Sequence, residues 1–189
     1  MIFYFLDFIT SMYLLTQKDV FFTHSEISRI ILSVTANFPE RITIPPPAII
    51  KPVRLWTGKQ AFSMLLRPNR KSKELVNLSA KAKRYEGPSQ NASGDWELHG
   101  KKLIGFSKSS PEMIPNDSWV FIRNSELCAG TMDKNSLGSG SKKQVFYILT
   151  RDYGEESAAK AMWRMCRIGP RYLSQSGKNG VSGEKKIEN

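Results

Sequence analysis

The sequence predicts an α+β domain in which several helices pack around a small sheet. Three observations support this class. Apolar residues recur at helical spacing in several segments, as on one face of a helix. Apolar and polar residues alternate around 118–123, as in a strand with one buried face. The 189 residues are 40% hydrophobic, which is enough to build a core.

The first helix is expected in the N-terminal stretch MIFYFLDFITSMYLL, where Leu6, Ile9, Met12 and Tyr13 follow helical spacing. Its hydrophobicity suggests a signal peptide, but its start carries no basic residue and Asp7 interrupts the apolar run. The stretch is also too short to cross a membrane. We therefore expect a buried helix.

A second helix is predicted to begin at Ser25, a residue type that caps helix N-termini. Its apolar face is expected to consist of Ile27, Ile30, Ile31 and Val34. Such a one-sided stripe indicates that this helix also packs on the core.

Prolines shape the segment that follows. Pro39 and the run at 45–47 exclude a helix, and the run is expected to keep the next residues, AIIKPVRLW, extended. Thr57 is a residue type that caps a helix, which predicts a short helix over 58–66. Its inward side chains are expected to be Ala61, Phe62, Leu65 and Leu66.

Strands are expected in two places. LVNL at 75–78 predicts a short strand, and Trp119, Phe121 and Leu127 alternate with other residues as strand residues do. Between them, the segment 79–110 is rich in Gly, Ser, Pro and Lys. This composition predicts a long loop or insertion.

Two further helices are predicted near the C-terminus. VFYILTRDYG is expected to form a short helix that ends at Gly154. Glu155 and Glu156 favour the start of a longer helix because acidic residues complement the helix dipole there. Residues 174–189 lack periodicity and are expected to be a disordered tail. The apolar face of the longer helix is predicted to hold Ala158, Ala159, Met162, Met165, Cys166 and Ile168.

Positive charge is concentrated in one part of the chain. The formal net charge is +11, and residues 51–110 alone hold 13 basic and 4 acidic residues. This balance suits a polyanionic partner, and it also suits a solvated surface. The two cysteines and two histidines lack ligand spacing, which argues against a disulfide framework and a metal centre. No arrangement for nucleophilic catalysis stands out.

Three segments invite functional interpretations, and each has a structural alternative. Glycines and lysines in LGSGSKK suggest a phosphate cradle, but the P-loop spacing is missing and a turn explains them better. In LWTGKQ, Lys59 is a candidate for binding a phosphate, although a cation at a helix start opposes the helix dipole. Trp56 is a candidate for stacking on a base, although a tryptophan at this position is also explained by packing. The runs RPNRKSKE and KAKR, near Tyr85 and Trp96, suit single-stranded nucleic acid or a solvated loop.

Longer motifs indicate a known family. Three consecutive stretches carry them: DFITSMYLLTQKDVFF, IPPPAIIKPVRLWTGKQAFSMLLRPN and NDSWVFIRNSELCAGTMDKNSLGSGSKKQVFYILTRDYGEESAAKAMWRM. Together these stretches resemble the pore domain of the largest subunit of DNA-directed RNA polymerases, most of all the RNA polymerase III version. The resemblance covers residues 7–173, interrupted by the loop at 79–110. Residues 1–6 are an unmatched extension, and the tail at 174–189 also departs from the family.

The resemblance implies a part of a transcription enzyme with the fold of that pore domain. In the family, this domain helps to line the channel through which nucleotides reach the active site and backtracked RNA 3′ ends leave. It packs against the second-largest subunit and other polymerase subunits, and it meets DNA and RNA through the assembled enzyme. The implied location is the nucleus, without a membrane. Basic residues expected near the channel are Lys51, Arg54, Lys59, Arg67, Lys142 and Lys143.

One departure from the family concerns catalysis. The catalytic magnesium of these nucleotidyltransferases is held by an Asn-Ala-Asp-Phe-Asp-Gly-Asp motif, which this sequence lacks. Two-metal phosphoryl transfer needs such carboxylates. We therefore expect a fragment of the subunit that binds no cofactor itself and adds no nucleotides alone. Two alternatives stay open: a degenerate copy without polymerase function, and an independent basic nucleic-acid-binding module.

Overall fold

The computed structural model describes residues 2–35, 42–69, 71–85, 87, 89–98, 100–103, 117–138, 140 and 142–184. Within these residues the fold is α+β, as the sequence predicts, with six helices and three small antiparallel sheets. The helices are α1 (Ile2–Leu15), α2 (His24–Thr35), α3 (Gly58–Leu66), α4 (Lys134–Leu137), α5 (Val145–Tyr153) and α6 (Glu155–Glu184). The strands are β1 (Phe21–Phe22), β2 (Trp56–Thr57), β3 (Leu78–Lys81), β4 (Ser89–Gln90), β5 (Trp96–Leu98), β6 (Lys101–Lys102), β7 (Trp119–Arg123) and β8 (Glu126–Ala129).

One hydrophobic core joins the helices to the sheet formed by β3, β7 and β8. Helix α6 packs against α1, α2, α3 and α5, and α3 packs against β8. Met12 of α1, Phe62 of α3, Val120 of β7 and Met165 of α6 are fully buried in the same cluster. Helices and sheet therefore form one body, in which α3 links the two.

Helix α1 is a buried helix, as the sequence predicts, but its inward face differs from the predicted one. Met12 is buried as expected, whereas Tyr13 is 42% exposed. Ile9 is partly buried against the core, as expected, and the fully buried residues are Phe8 and Leu15, which share a helix face with Met12. This face packs against α6. The side chain of Leu6 lies outside the described residues. Among the described residues, no helix is long and apolar enough to span a membrane.

Helix α2 begins one residue before the predicted cap. The Thr23 amide donates to Glu26 Oε2 at 2.8 Å, and the Glu26 amide donates to Thr23 Oγ1 at 3.5 Å. This reciprocal pattern is a capping box, so Thr23 rather than Ser25 caps the helix. The predicted inward residues Ile27, Ile30 and Ile31 are buried. The side chain of Val34 and the whole of Pro39 lie outside the described residues.

Helix α3 spans the predicted residues. The Gln60 amide donates to Thr57 Oγ1 at 3.2 Å, and the Thr57 amide donates to Gln60 Oε1 at 3.0 Å. This capping box satisfies amides that the first helical turn leaves without partners. All four predicted inward side chains are buried, together with Met64.

Replacing Thr57 with alanine is expected to lower the free energy of unfolding by about 1 kcal/mol, because the cap of α3 loses its acceptor. Urea titration followed by circular dichroism measures the change. Thr150→Ala is the matched control, since Thr150 Oγ1 donates to the Phe146 carbonyl in the middle of α5 and caps no helix. Equal losses in both variants would contradict a capping role.

The segment after the prolines folds back and is not extended as predicted. The Ile49 amide donates to the Leu55 carbonyl at 3.1 Å, and the Leu55 amide donates to the Ile49 carbonyl at 2.9 Å. The proline carbonyls accept hydrogen bonds from the side chains of β2 and α3. Those of Pro45 and Pro46 accept from Trp56 Nε1 at 2.8 Å and Gln60 Nε2 at 2.9 Å.

The main sheet runs in the order β3-β7-β8, and all its pairs are antiparallel. Strand β7 lies where the sequence predicts it; its buried residues are Val120 and Ile122, and the alternating Trp119 and Phe121 are half-buried. Strand β3 begins at Leu78, so the prediction of a strand at 75–78 was wrong by three residues. The shift places β3 opposite β7, with Leu78 facing Ile122.

The segment 79–110 is only partly a loop. Its first three residues belong to β3, and β4, β5 and β6 form an antiparallel three-stranded sheet between residues 89 and 102. Residues 104–116 lie outside the described part of the chain. The short strands carry many polar residues, which is why their composition predicted a loop.

Helices α5 and α6 begin where the sequence predicts them, and Gly154 separates them with a φ of 89°. The buried face of α6 is different from the predicted one. Ala158 and Met165 are inward as expected, whereas Met162 and Cys166 are exposed. Helix α6 continues to Glu184 through most of the expected tail, and residues 185–189 lie outside the described part. Among the α6 side chains that the structure describes, up to residue 174, the buried ones are Ala158, Ala161, Arg164, Met165 and the predicted Ile168.

Candidate nucleic-acid interface

Four lysines surround a cleft of about 500 Å³ beside the main sheet. They come from the end of β3, the residues after it, the start of α4 and the segment before α5. No acidic side chain lines this cleft among the residues that the structure describes. A concave surface with one sign of charge attracts anions of several charges. The four-lysine cleft is defined by Lys81, Lys83, Lys134 and Lys143, and it is completed by Ala80, Asn135, Gly140 and Gln144.

Asp133 holds the two sides of the four-lysine cleft together. Its Oδ1 accepts the amides of Asn135 at 2.9 Å and Ser136 at 3.0 Å, which caps the single turn of α4. Its Oδ2 accepts the backbone amide of Lys83. The carboxylate therefore faces backbone donors rather than the cleft, and Asp133 is 9% exposed. The position of Lys134 relative to Lys83 follows from these bonds.

An aromatic pair lies beside Lys81 of the cleft. The ammonium group of Lys81 lies 4.5 Å from the ring centre of Tyr85. The rings of Tyr85 and Trp119 meet edge to face at 6.1 Å. Burial raises the pKa of the Tyr85 hydroxyl, so this group stays neutral beside the lysine. Surfaces that combine cationic and aromatic groups are typical of proteins that bind single-stranded nucleic acid.

Lys59 has a structural position rather than a place in this cleft. Its ammonium donates to the carbonyls of Thr16 and Gly130, each at 2.7 Å, and to the carboxylate of Asp117. Three acceptors use the three protons of the ammonium group. Only 16% of the Lys59 side chain is exposed. We therefore leave Lys59 out of the proposed interface, although the sequence suggested it.

The remaining sequence-predicted residues divide between three places. Lys143 lines the four-lysine cleft, and Lys142 is exposed next to it in sequence. Lys51 and Arg54 are exposed on the fold-back loop after the prolines. Arg67 follows α3 and lines a separate cleft of about 420 Å³.

Sequence reasoning missed part of the cleft. Lys81 and Lys83 belong to the KAKR run that the sequence marked as basic, but Lys134 had no local signal. The two segments that meet at the cleft are about fifty positions apart, and the pairing of β3 with β7 and the bond between Asp133 and the Lys83 amide bring them together. Gly138 serves α4 rather than a phosphate, because its amide donates to the Lys134 carbonyl at 2.8 Å. Within LGSGSKK, both serines, at positions 139 and 141, lie outside the described residues.

The described residues contain no cluster of three His, Cys, Asp or Glu side chains that is able to hold a metal ion. Trp56 is 4% exposed and its indole N–H binds the Pro45 carbonyl, so it is a packing residue.

Comparison with known proteins identifies relatives over most of the chain. The family "RNA polymerase Rpb1, domain 3" matches residues 1–182. The chain is 44% identical over 171 residues to DNA-directed RNA polymerase III subunit RPC1 of Debaryomyces hansenii and 44% identical over 173 residues to that of Homo sapiens. It is 43% identical over 172 residues to that of Saccharomyces cerevisiae. These alignments cover 90% of this chain and 10%, 11% and 10% of the three relatives. The chain thus spans about a tenth of the length of the curated relatives it matches.

Proposed function

The chain belongs to the RNA polymerase Rpb1 domain 3 family, and from this premise we propose that it forms part of the pore wall of DNA-directed RNA polymerase III. Nucleotides enter through this pore and the 3′ ends of backtracked RNA leave through it. The supporting observation is the four-lysine cleft, which presents cations and no carboxylate from its described lining residues. Triphosphates and RNA are the polyanions that such a wall must guide.

Hydrogen bonds that hold the segments around the cleft in place also support a role as a rigid pore wall. Lys59 ties the end of α1 to the residues on both sides of the β7–β8 hairpin. The Met132 amide donates to Thr16 Oγ1 at 2.9 Å, which adds a second link to α1. Asp133 follows Met132 directly in the sequence, and its carboxylate binds the amides of Lys83 and Asn135. The backbone that carries Lys83 and Lys134 is thus bonded to a segment that is itself held against α1.

Catalysis is proposed to take place elsewhere in the assembled enzyme. The sequence has no Asn-Ala-Asp-Phe-Asp-Gly-Asp motif, so we assign the catalytic magnesium to residues outside this chain and no cofactor to the chain itself. We propose the second-largest subunit and other polymerase subunits as its partners, with DNA and RNA met through the assembly. The nucleus is the location that this role implies.

The cleft is expected to bind single-stranded RNA in a salt-dependent manner. Fluorescence anisotropy with a labelled oligonucleotide at several salt concentrations measures this. Replacing Lys83 and Lys143 by alanine together should reduce the slope of log K against log salt by about 1.4 if both lysines contact phosphates.

The matched control removes Lys71 and Lys73, which are exposed and lie outside the cleft. This double variant has the same net charge as the first one. If both variants lose the same affinity, the binding is a property of the general charge and the cleft has no special role. Binding that does not change with salt would also refute the proposal.

Co-purification with the second-largest subunit separates the alternatives. A pore-wall domain should be recovered with that subunit, whereas a degenerate copy should not. An independent nucleic-acid-binding module should instead stay monomeric and bind RNA without a protein partner.

A further inference from the structure

A loop that projects from a fixed base presents apolar and basic side chains together. Its base is closed by the two hydrogen bonds between Ile49 and Leu55. Trp56, directly after it, is 4% exposed and binds the Pro45 carbonyl at 2.8 Å. The projecting residues 50–54 are all exposed, and we call them the basic-apolar tip.

The apolar part of the tip is left uncovered by the described part of the chain. Ile50 is 67% exposed and Val53 is 56% exposed, on either side of Pro52. Branched aliphatic side chains on a braced loop lose little conformational freedom when another surface buries them. The tip is therefore already arranged for binding.

The charge of the tip has a single sign. Lys51 and Arg54 are exposed, and no Asp or Glu occurs between Glu40 and Glu74 in the sequence. In the described part of the chain neither cation has a salt-bridge partner. A partner that covers the tip must supply the compensating negative charge.

We propose that the basic-apolar tip docks into an apolar pocket with carboxylates at its rim on another protein chain. Ile50 and Val53 fill the pocket, while Lys51 and Arg54 face the acidic rim. A protein suits these groups better than a nucleic acid does, because the tip exposes no aromatic ring for stacking on bases. A second copy of this chain does not suit them, since each copy has a net charge of +11. This inference does not depend on the four-lysine cleft or on RNA binding.

Photocrosslinking tests the proposal in cells that express the whole chain. Val53 is replaced by the photoreactive amino acid p-benzoylphenylalanine, and Ile50 is replaced in a second variant. Mass spectrometry then identifies the residue to which each becomes attached. We expect attachment to another protein, in a segment where Asp or Glu residues surround apolar ones. Reversing both charges with Lys51→Glu and Arg54→Glu should reduce the yield about tenfold.

Lys71→Glu with Lys73→Glu is the control, because it changes the net charge equally at exposed positions that do not belong to the tip. Its yield should stay that of the unchanged chain. Attachment only to nucleic acid, to a second copy, or to a segment without acidic residues would overturn the proposal. The same holds for absence of any product from both photoreactive variants, or for a yield that charge reversal leaves unchanged. Thermal unfolding of each variant confirms that the exposed substitutions leave the fold intact.

Discussion

Replacing Lys59 with methionine is expected to lower the free energy of unfolding by about 3 kcal/mol. The substitution leaves the carboxylate of Asp117 without its cation, at a position where 17% of that side chain is exposed. It also leaves the carbonyls of Thr16 and Gly130 without their donor. Removing one partner of a largely buried pair is costly because the other charge stays desolvated. Chemical denaturation of the two proteins measures the difference.

The double variant Lys59→Met with Asp117→Asn should recover part of this loss, since no charge is then left behind. The asparagine side chain of the double variant would still offer an acceptor to the Gly130 amide, which Asp117 Oδ1 binds at 2.6 Å. The control is Lys160→Met, because Lys160 pairs with Glu156 at the surface of α6. An exposed pair contributes less than about 1 kcal/mol. A loss at Lys59 as small as at Lys160 would contradict a bracing role.

Replacing Gly58 with alanine is expected to destabilise the fold by about 3 kcal/mol, at the upper end of the range for overpacked positions. A β-carbon there would lie 1.7 Å from the carbonyl oxygen of Leu15, the last residue of α1. The obstacle is backbone, so the clash is relieved only if α1 and α3 move apart. Thermal and urea denaturation measure the loss.

Gly169→Ala is the matched control for Gly58→Ala. Both glycines lie in helices, but the closest atom to a β-carbon at Gly169 is Ser11 Oγ at 2.8 Å, the end of a side chain rather than backbone. Alanine also has a higher helix propensity than glycine by about 1 kcal/mol. We expect a net change of less than about 1 kcal/mol at Gly169. Equal losses at both positions would mean that the α1–α3 contact does not explain the effect at Gly58.

Elements whose signals lie within a few residues were predicted from the sequence. Helix α3 is the clearest case, because its cap at Thr57, its partner Gln60 and its apolar side chains all belong to ten consecutive residues. Helix α5 likewise carries its own end signal in Gly154. Capping and periodicity act through neighbouring residues, so their outcome does not depend on the rest of the chain.

The buried faces of several elements could not be predicted from such local signals. Helix α1 has apolar residues on several sides, and its contact with α6 selects Phe8 and Leu15 over Tyr13. In β7 both faces carry large apolar side chains, and pairing with β3 and β8 turns Val120 and Ile122 inward. The buried Arg164 of α6 had no sequence signal either. Its guanidinium donates to the carbonyls that end α3, at 2.6 Å to Leu65 and 3.2 Å to Leu66.

The sequence by itself determined the family, the α+β class, the position of α3 and the concentration of positive charge in residues 51–110. Tertiary structure alone decided what each cation does. It places Lys59 among internal acceptors, Lys143 at a shared cleft and Lys51 on an exposed tip. The reason is physical: a local pattern depends on residues that are neighbours along the chain, whereas the field and the acceptors around a charged group come from segments that only folding brings near it.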